Sequence, residues 1–154
     1  MAVSRSSRVR LMPLVAASSL AVVGLLFSGC LGGSGTSVLY DEDRDVGQQK
    51  VAAFPVHNLR KGTGLHFDAK LLKGSRADFV WMNASELPKY LDQANGTYDY
   101  IERCSGLNTA GLVGDCPIEA DGSYYFVVDN TQRPVNGANP EPDGIRAHVK
   151  ISTL

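Results

Sequence analysis

The amino-acid sequence predicts an all-β fold, an antiparallel β-sandwich of the jelly-roll class with at most one short helix. Three observations carry that expectation. Leu65-His66-Phe67-Asp68-Ala69-Lys70-Leu71 and Ile145-Arg146-Ala147-His148-Val149-Lys150-Ile151 place apolar residues on every second position, the period of a strand with one buried face. Tyr124-Tyr125-Phe126-Val127-Val128 is apolar on both faces, as a central strand covered on each side requires. Only Ser85–Ala94 reads as helix, with Pro88 suited to a first turn.

Taken in chain order, residues 1–29 read as an export signal. Arg5, Arg8 and Arg10 lead into the apolar stretch Leu11–Phe27, and the small residues Ser28 and Gly29 follow. The segment Phe27-Ser28-Gly29-Cys30 resembles the lipobox of bacterial and archaeal lipoprotein precursors, with Phe27 where that pattern usually carries leucine. The resemblance implies that Cys30 is lipidated and becomes the first residue of the mature chain, anchored on the extracytoplasmic face of the cell membrane. Two alternatives stay open. One is an uncleaved anchor, because an apolar stretch of 17 residues sits at the lower limit of the roughly 17–25 that span a bilayer. The other is an ordinary signal peptide with a chance cysteine.

Residues 30–47 are expected to form a flexible acidic linker, with Gly32, Gly33, Ser34 and Gly35 supplying freedom and Asp41, Glu42, Asp43 and Asp45 supplying solvated charge. The acidic run spaces three aspartates as a calcium loop does, but Gly47 arrives one residue late and Ala52 stands where a bidentate glutamate belongs. The sandwich is then expected over residues 48–154. Val51–Val56, Asp78–Met82 and Thr97–Arg103 are further extended candidates, and Pro55 restricts the first to an edge or a strand end.

Three cysteines are present, and with Cys30 committed to lipid, Cys104 and Cys116 remain as a pair. Outside the cytoplasm such a pair is expected to be a disulfide. Gly106, Gly111 and Gly114 let the intervening backbone turn back on itself. Zinc is the competing reading, without a second Cys or His pair at short spacing to support it.

The run Asp121-Gly122-Ser123-Tyr124-Tyr125-Phe126-Val127-Val128-Asp129-Asn130, followed by a variable loop and an alternating final strand, resembles the closing strands of GOLD-type and pre-peptidase C-terminal-type β-sandwiches. That resemblance implies a non-catalytic accessory or protein-interaction module, and it brings no functional residues with it.

Charge and motifs narrow the function classes. Removing residues 1–29 takes away three arginines and no acids, leaving 12 basic against 16 acidic residues and a formal charge of −4. That balance excludes a nucleic-acid partner. His57, His66 and His148 are widely separated and form no metal-binding motif, Ser123 lacks a nucleophile elbow, and neither cofactor nor metal is expected. Asn83-Ala84-Ser85 and Asn95-Gly96-Thr97 make Asn83 and Asn95 candidate glycosylation acceptors. The long connection Thr131–Gly144, with Arg133, Pro134, Asn136, Asn139 and Asp143, is the expected contact surface for an envelope protein or glycan. The leading expectation is therefore a membrane-tethered, non-catalytic binding or structural module of the cell envelope. The alternative is a small secreted hydrolase whose site is assembled from His57, His66, Asp68 and Asp129.

Overall fold

A computed structural model describes residues 36–92, 97–133 and 136–154. Cys30, Asn95 and Pro134 lie outside the described residues. Eight strands carry the fold. They are β1 (Val38–Val46), β2 (Lys50–Leu59), β3 (Gly64–Lys73), β4 (Ala77–Asn83), β5 (Gly106–Thr109), β6 (Gly111–Pro117), β7 (Gly122–Asn130) and β8 (Ile145–Thr153). One short helix, α1, spans Leu87–Leu91 with proline in its first turn.

The strands form two four-stranded antiparallel sheets, in the orders β1-β8-β3-β6 and β2-β7-β4-β5. First pairs with last, second with seventh, third with sixth and fourth with fifth. The chain is thus one long hairpin folded over so that its arms pass back and forth between two layers, and the further pairings β3·β8 and β4·β7 close each layer. This is the jelly roll.

Alternation in the sequence decides which atoms meet between the layers. Leu65, Phe67 and Ala69 of β3 and Ala147, Val149 and Ile151 of β8 are buried, and they face Phe54, Phe79, Trp81 and Phe126 of the second sheet. The rings cluster around Phe126, whose centroid lies 5.1 Å from Trp81, 5.9 Å from Phe67 and 6.2 Å from Phe79. Gly114 in β6 leaves room for this cluster, because a Cβ there would stand 3.2 Å from Phe67 Cζ. β2 lies at a sheet edge, where Pro55 costs no ladder bond. β7 and β4 are central, as their two-faced apolar character requires.

Three expectations are corrected. The acidic segment read as linker is strand β1, so the sandwich begins at Val38 rather than at residue 48. Asp41, Asp43 and Asp45 stand opposite Lys150, His148 and Arg146 of β8, with His148 Nδ1 2.9 Å from Asp43 Oδ1 and Arg146 Nη2 3.2 Å from Asp43 Oδ2. Cross-strand charge pairing thus replaces solvation, and charge on an edge strand also discourages pairing with other chains. Thr97–Arg103 is not a strand: its backbone is irregular to Ile101 and then makes a 3₁₀ turn over Glu102–Cys104. The glycine-bearing stretch between the cysteines is not a simple loop either, since it contains β5 and β6 and crosses from one sheet to the other.

Candidate functional site

The two sheets differ on their outer faces. Outside β1-β8-β3-β6 the polar phase carries charge, with His66 paired to Asp115 at 2.7 Å and His148 to Asp43. The outer face of the second sheet is instead covered. Val80, Met82 and Val127 are buried there beneath Tyr90 of α1, with Tyr98 and Tyr100 packed alongside. Tyr98 meets Tyr90 edge-on at 4.8 Å, a favoured aromatic geometry.

Beneath this cover lie two buried carboxylates, Asp78 on β4 and Asp129 on β7, directly opposite each other in register. Asp78 Oδ1 accepts the backbone N–H of Asn108 at 2.6 Å and of Ala138 at 2.9 Å. It therefore fastens both β5 and the Thr131–Gly144 connection to the sheet. Asp129 Oδ2 accepts the hydroxyl of Tyr90, fixing α1, while its Oδ1 is buried without a hydrogen-bond partner. Burial pushes both carboxyls above the ordinary carboxylate range and pushes the Tyr90 hydroxyl up as well.

The raised acids fix the sign of a pH dependence. A carboxyl with a raised folded-state pKa binds more protons folded than unfolded above pH 3.8, so its contribution to stability is lost as pH rises. Asp129→Asn is expected to gain stability relative to the parent chain as pH rises above about 4, read as a growing difference between their urea midpoints. Parallel pH profiles would show that Asp129 does not set the slope.

A cleft of about 320 Å³ opens beside Tyr90 and Arg133, the two side chains that approach Asp129. Lys89, Tyr90 and Asp92 border it from α1 and the residue that follows, Tyr98 from the irregular segment, and Gln49 from the β1–β2 turn. Gln132 and Arg133 close it from the start of the β7–β8 connection. Every lining residue is therefore aromatic, an amide or charged. Lys89 Nζ is held by Glu86 Oε1 at 2.7 Å. Arg133 is held differently: its Cζ lies 5.8 Å from the Tyr90 ring centroid, and its Nη1 lies 4.0 Å from Asp129 Oδ2. Its Nε and Nη1 are buried without hydrogen-bond partners, although the side chain is 14% exposed.

The other residues singled out from sequence distribute as follows. Cys104 and Cys116 form a disulfide with Cα atoms 5.4 Å apart. Asn83 is exposed at the end of β4 and borders a second depression, its Oδ1 accepting the Ser85 N–H at 3.2 Å. The β7–β8 connection is pinned, where the sequence suggested a displayed loop. Besides the Ala138 bond, Asn130 Oδ1 accepts the Glu141 N–H at 2.7 Å, and Gly144 turns with φ of 69° while Val46 O lies 2.9 Å from where a Cβ would stand. Within it Arg133 faces the cleft, Asn136 and Asn139 are exposed, Asn139 Oδ1 accepts from Gln132 at 3.0 Å, and the Asp143 carbonyl accepts from Lys73 at 2.7 Å. The four residues of the hydrolase alternative are not brought together. His57 meets Ser123 at 3.3 Å, His66 and Asp68 share the outer face of β3, and Asp129 is buried under α1 on the opposite sheet. Among the described residues there is no His, Cys, Asp and Glu grouping that could hold a metal ion.

Comparison with protein-family models finds none that matches the chain, and comparison with curated proteins finds no match.

Sequence reasoning singled out Arg133 and Asp129 but missed Asp78, Tyr90, Tyr98, Lys89 and the two glutamines. A usable signal was present for the acids. Asp78 and Asp129 each adjoin the apolar run of a two-faced strand, and a charge in a buried phase marks a place where other groups must converge.

Proposed function

We propose that the chain is a membrane-tethered extracytoplasmic lipoprotein whose jelly roll is a non-catalytic binding module for envelope glycans. The observation that carries the reading is the lining of the cleft. Amides, a carboxylate and cations around a tyrosine pair supply the donors, acceptors and flat faces that a ring dense in hydroxyls needs, whereas an apolar ligand would leave those polar groups unpaired. The cleft is also built on fixed elements: Tyr90 is held by Asp129, the Arg133 N–H is bonded to Thr131 Oγ1 at 3.1 Å, and Gln132 Nε2 donates to Asn139 Oδ1 at 3.0 Å. Ordering before the ligand arrives reduces the entropy lost on binding. The export signal and Cys30 supply the address, and the resemblance to GOLD-type sandwiches supports an accessory role.

Two measurements test this. The membrane fraction is expected to yield a mature mass beginning at Cys30 with two or more acyl chains, since one chain alone binds membranes only marginally. The unmodified full-length mass would exclude lipidation. On an array of envelope glycans the full-length chain is expected to bind, and Tyr98→Ala to lose that binding. Binding indifferent to Tyr98 would exclude the cleft.

A further inference from the structure

Resting on the glycan reading, we infer that the ligand is an acidic sugar whose carboxylate is recognised by Arg133. The guanidinium lies in the wall of the cleft, beside the ring of Tyr90, yet among the described residues no carboxylate lies within 3.5 Å of it. The facing acid, Asp129, is 4.0 Å away, and its Oδ2 is engaged by Tyr90. Nε and Nη1 are buried without hydrogen-bond partners, so the guanidinium that borders the cleft is not neutralised by a close ion pair. Lys89 adds a second cation at the rim, partly compensated by Glu86, and Asp92 adds one carboxylate.

The remaining groups define the rest of the ligand. Tyr98 offers a ring face, and Gln49, Gln132 and Asp92 offer donors and acceptors suited to hydroxyls. A carboxylate matches the planar fork of arginine better than it matches an ammonium group. A pyranose ring bearing one carboxylate satisfies both halves of the site at once. The cleft volume of about 320 Å³ suits one or two sugar rings, at the lower end of small-ligand sites.

The test uses the full-length chain in detergent micelles with three probes: trigalacturonate, a hyaluronan tetrasaccharide and sialyllactose. Each is paired with its methyl ester, which keeps the ring and hydroxyls and removes the charge. Calorimetric titration is expected to show at least one acid binding about tenfold or more tighter than its ester, with affinity falling as salt rises. Arg133→Gln is expected to abolish the preference for acid over ester, and the Arg133 Nε–H resonance of the parent chain to shift on titration. Arg133→Lys, which keeps the charge and lowers any risk of misfolding, is expected to retain only part of the preference. Acid and ester binding equally, with both lost in Tyr98→Ala, would overturn the acidic ligand and leave the glycan reading standing. An acid preference that persists in a folded Arg133→Gln chain would also overturn it. No binding by any acid or ester would overturn both.

Discussion

Replacing Phe126 by alanine is expected to remove about 3–5 kcal/mol of folding free energy, the usual range for emptying a large aromatic site. The size follows from its position. Phe126 is fully buried and touches aromatic partners from both layers: Phe67 of β3 on one side, and Phe54, Phe79 and Trp81 of its own sheet on the other. No single neighbour can fill the void, because each ring is held by its own strand register. A loss of that size is a large share of the roughly 5–15 kcal/mol that stabilises an ordinary domain. The unfolding midpoint should fall by roughly 10–20 °C in thermal melts. Phe126→Leu conserves more volume and should cost less than half as much. A loss under about 1 kcal/mol for Phe126→Ala would mean that the core collapses around the cavity and that the interlayer contact lies elsewhere.

The strands that meet at Phe126 were legible in the sequence because their pattern is local. Leu65, Phe67, Ala69 and Leu71 alternate with polar residues whatever else the chain does, and so do Ile145, Ala147, Val149 and Ile151. β1 was not legible. Its Asp41, Asp43 and Asp45 alternate just as regularly, but the residues that make them a strand are Arg146, His148 and Lys150, about a hundred positions away. Read alone, an alternating acid pattern is equally a solvated tail. β5 and β6 were hidden for a different reason. Gly106, Gly111 and Gly114 signal a turn locally, whereas at Gly114 the absent side chain serves to admit Phe67. Thr97–Arg103 misled in the opposite direction, since Tyr98 and Tyr100 alternate like strand residues but cover the outside of the second sheet. A backbone bond from Ile101 N–H to Trp81 O at 2.7 Å joins that segment to β4.

The candidate site shows the same division. Arg133 stood out because it lies in a long connection, and Asp129 as one of the distant acids and histidines from which a hydrolase site would be assembled. Neither fact shows that the two approach each other, or that Tyr90 covers Asp129 while Arg133 borders the cleft beside it. That knowledge depends on the register of β4 against β7, which places Asp78 opposite Asp129. Once two acids share one covered face, the Tyr90 hydroxyl and the N–H groups of Asn108 and Ala138 follow from the need to satisfy buried polar groups.

Removing the Cys104–Cys116 disulfide is expected to lower stability by about 3 kcal/mol, on the chain-entropy account for a bridge closing a loop of this length. The position of the bridge gives the number a local meaning. Between the cysteines the chain runs along β5 in one sheet, turns at Ala110 and returns as β6 in the other. Each of these strands lies at the edge of its sheet and so has one neighbour. β5 is also the shortest strand among the described residues, and it is tied further by the bonds from Asn108 N–H to Asp78 and from Arg76 Nη1 to the Asn108 carbonyl. The double variant Cys104→Ala, Cys116→Ala avoids leaving a buried unpaired thiol. In urea it should unfold at lower concentration and with a steeper slope, because the unfolded chain is no longer constrained. Amide exchange should accelerate first at β5, while β8, paired on both sides, keeps its protection until global unfolding. Reduction of the parent chain should reproduce both effects. A midpoint unchanged after reduction, or exchange accelerating equally in β5 and β8, would show that the crossover is held by its packing alone.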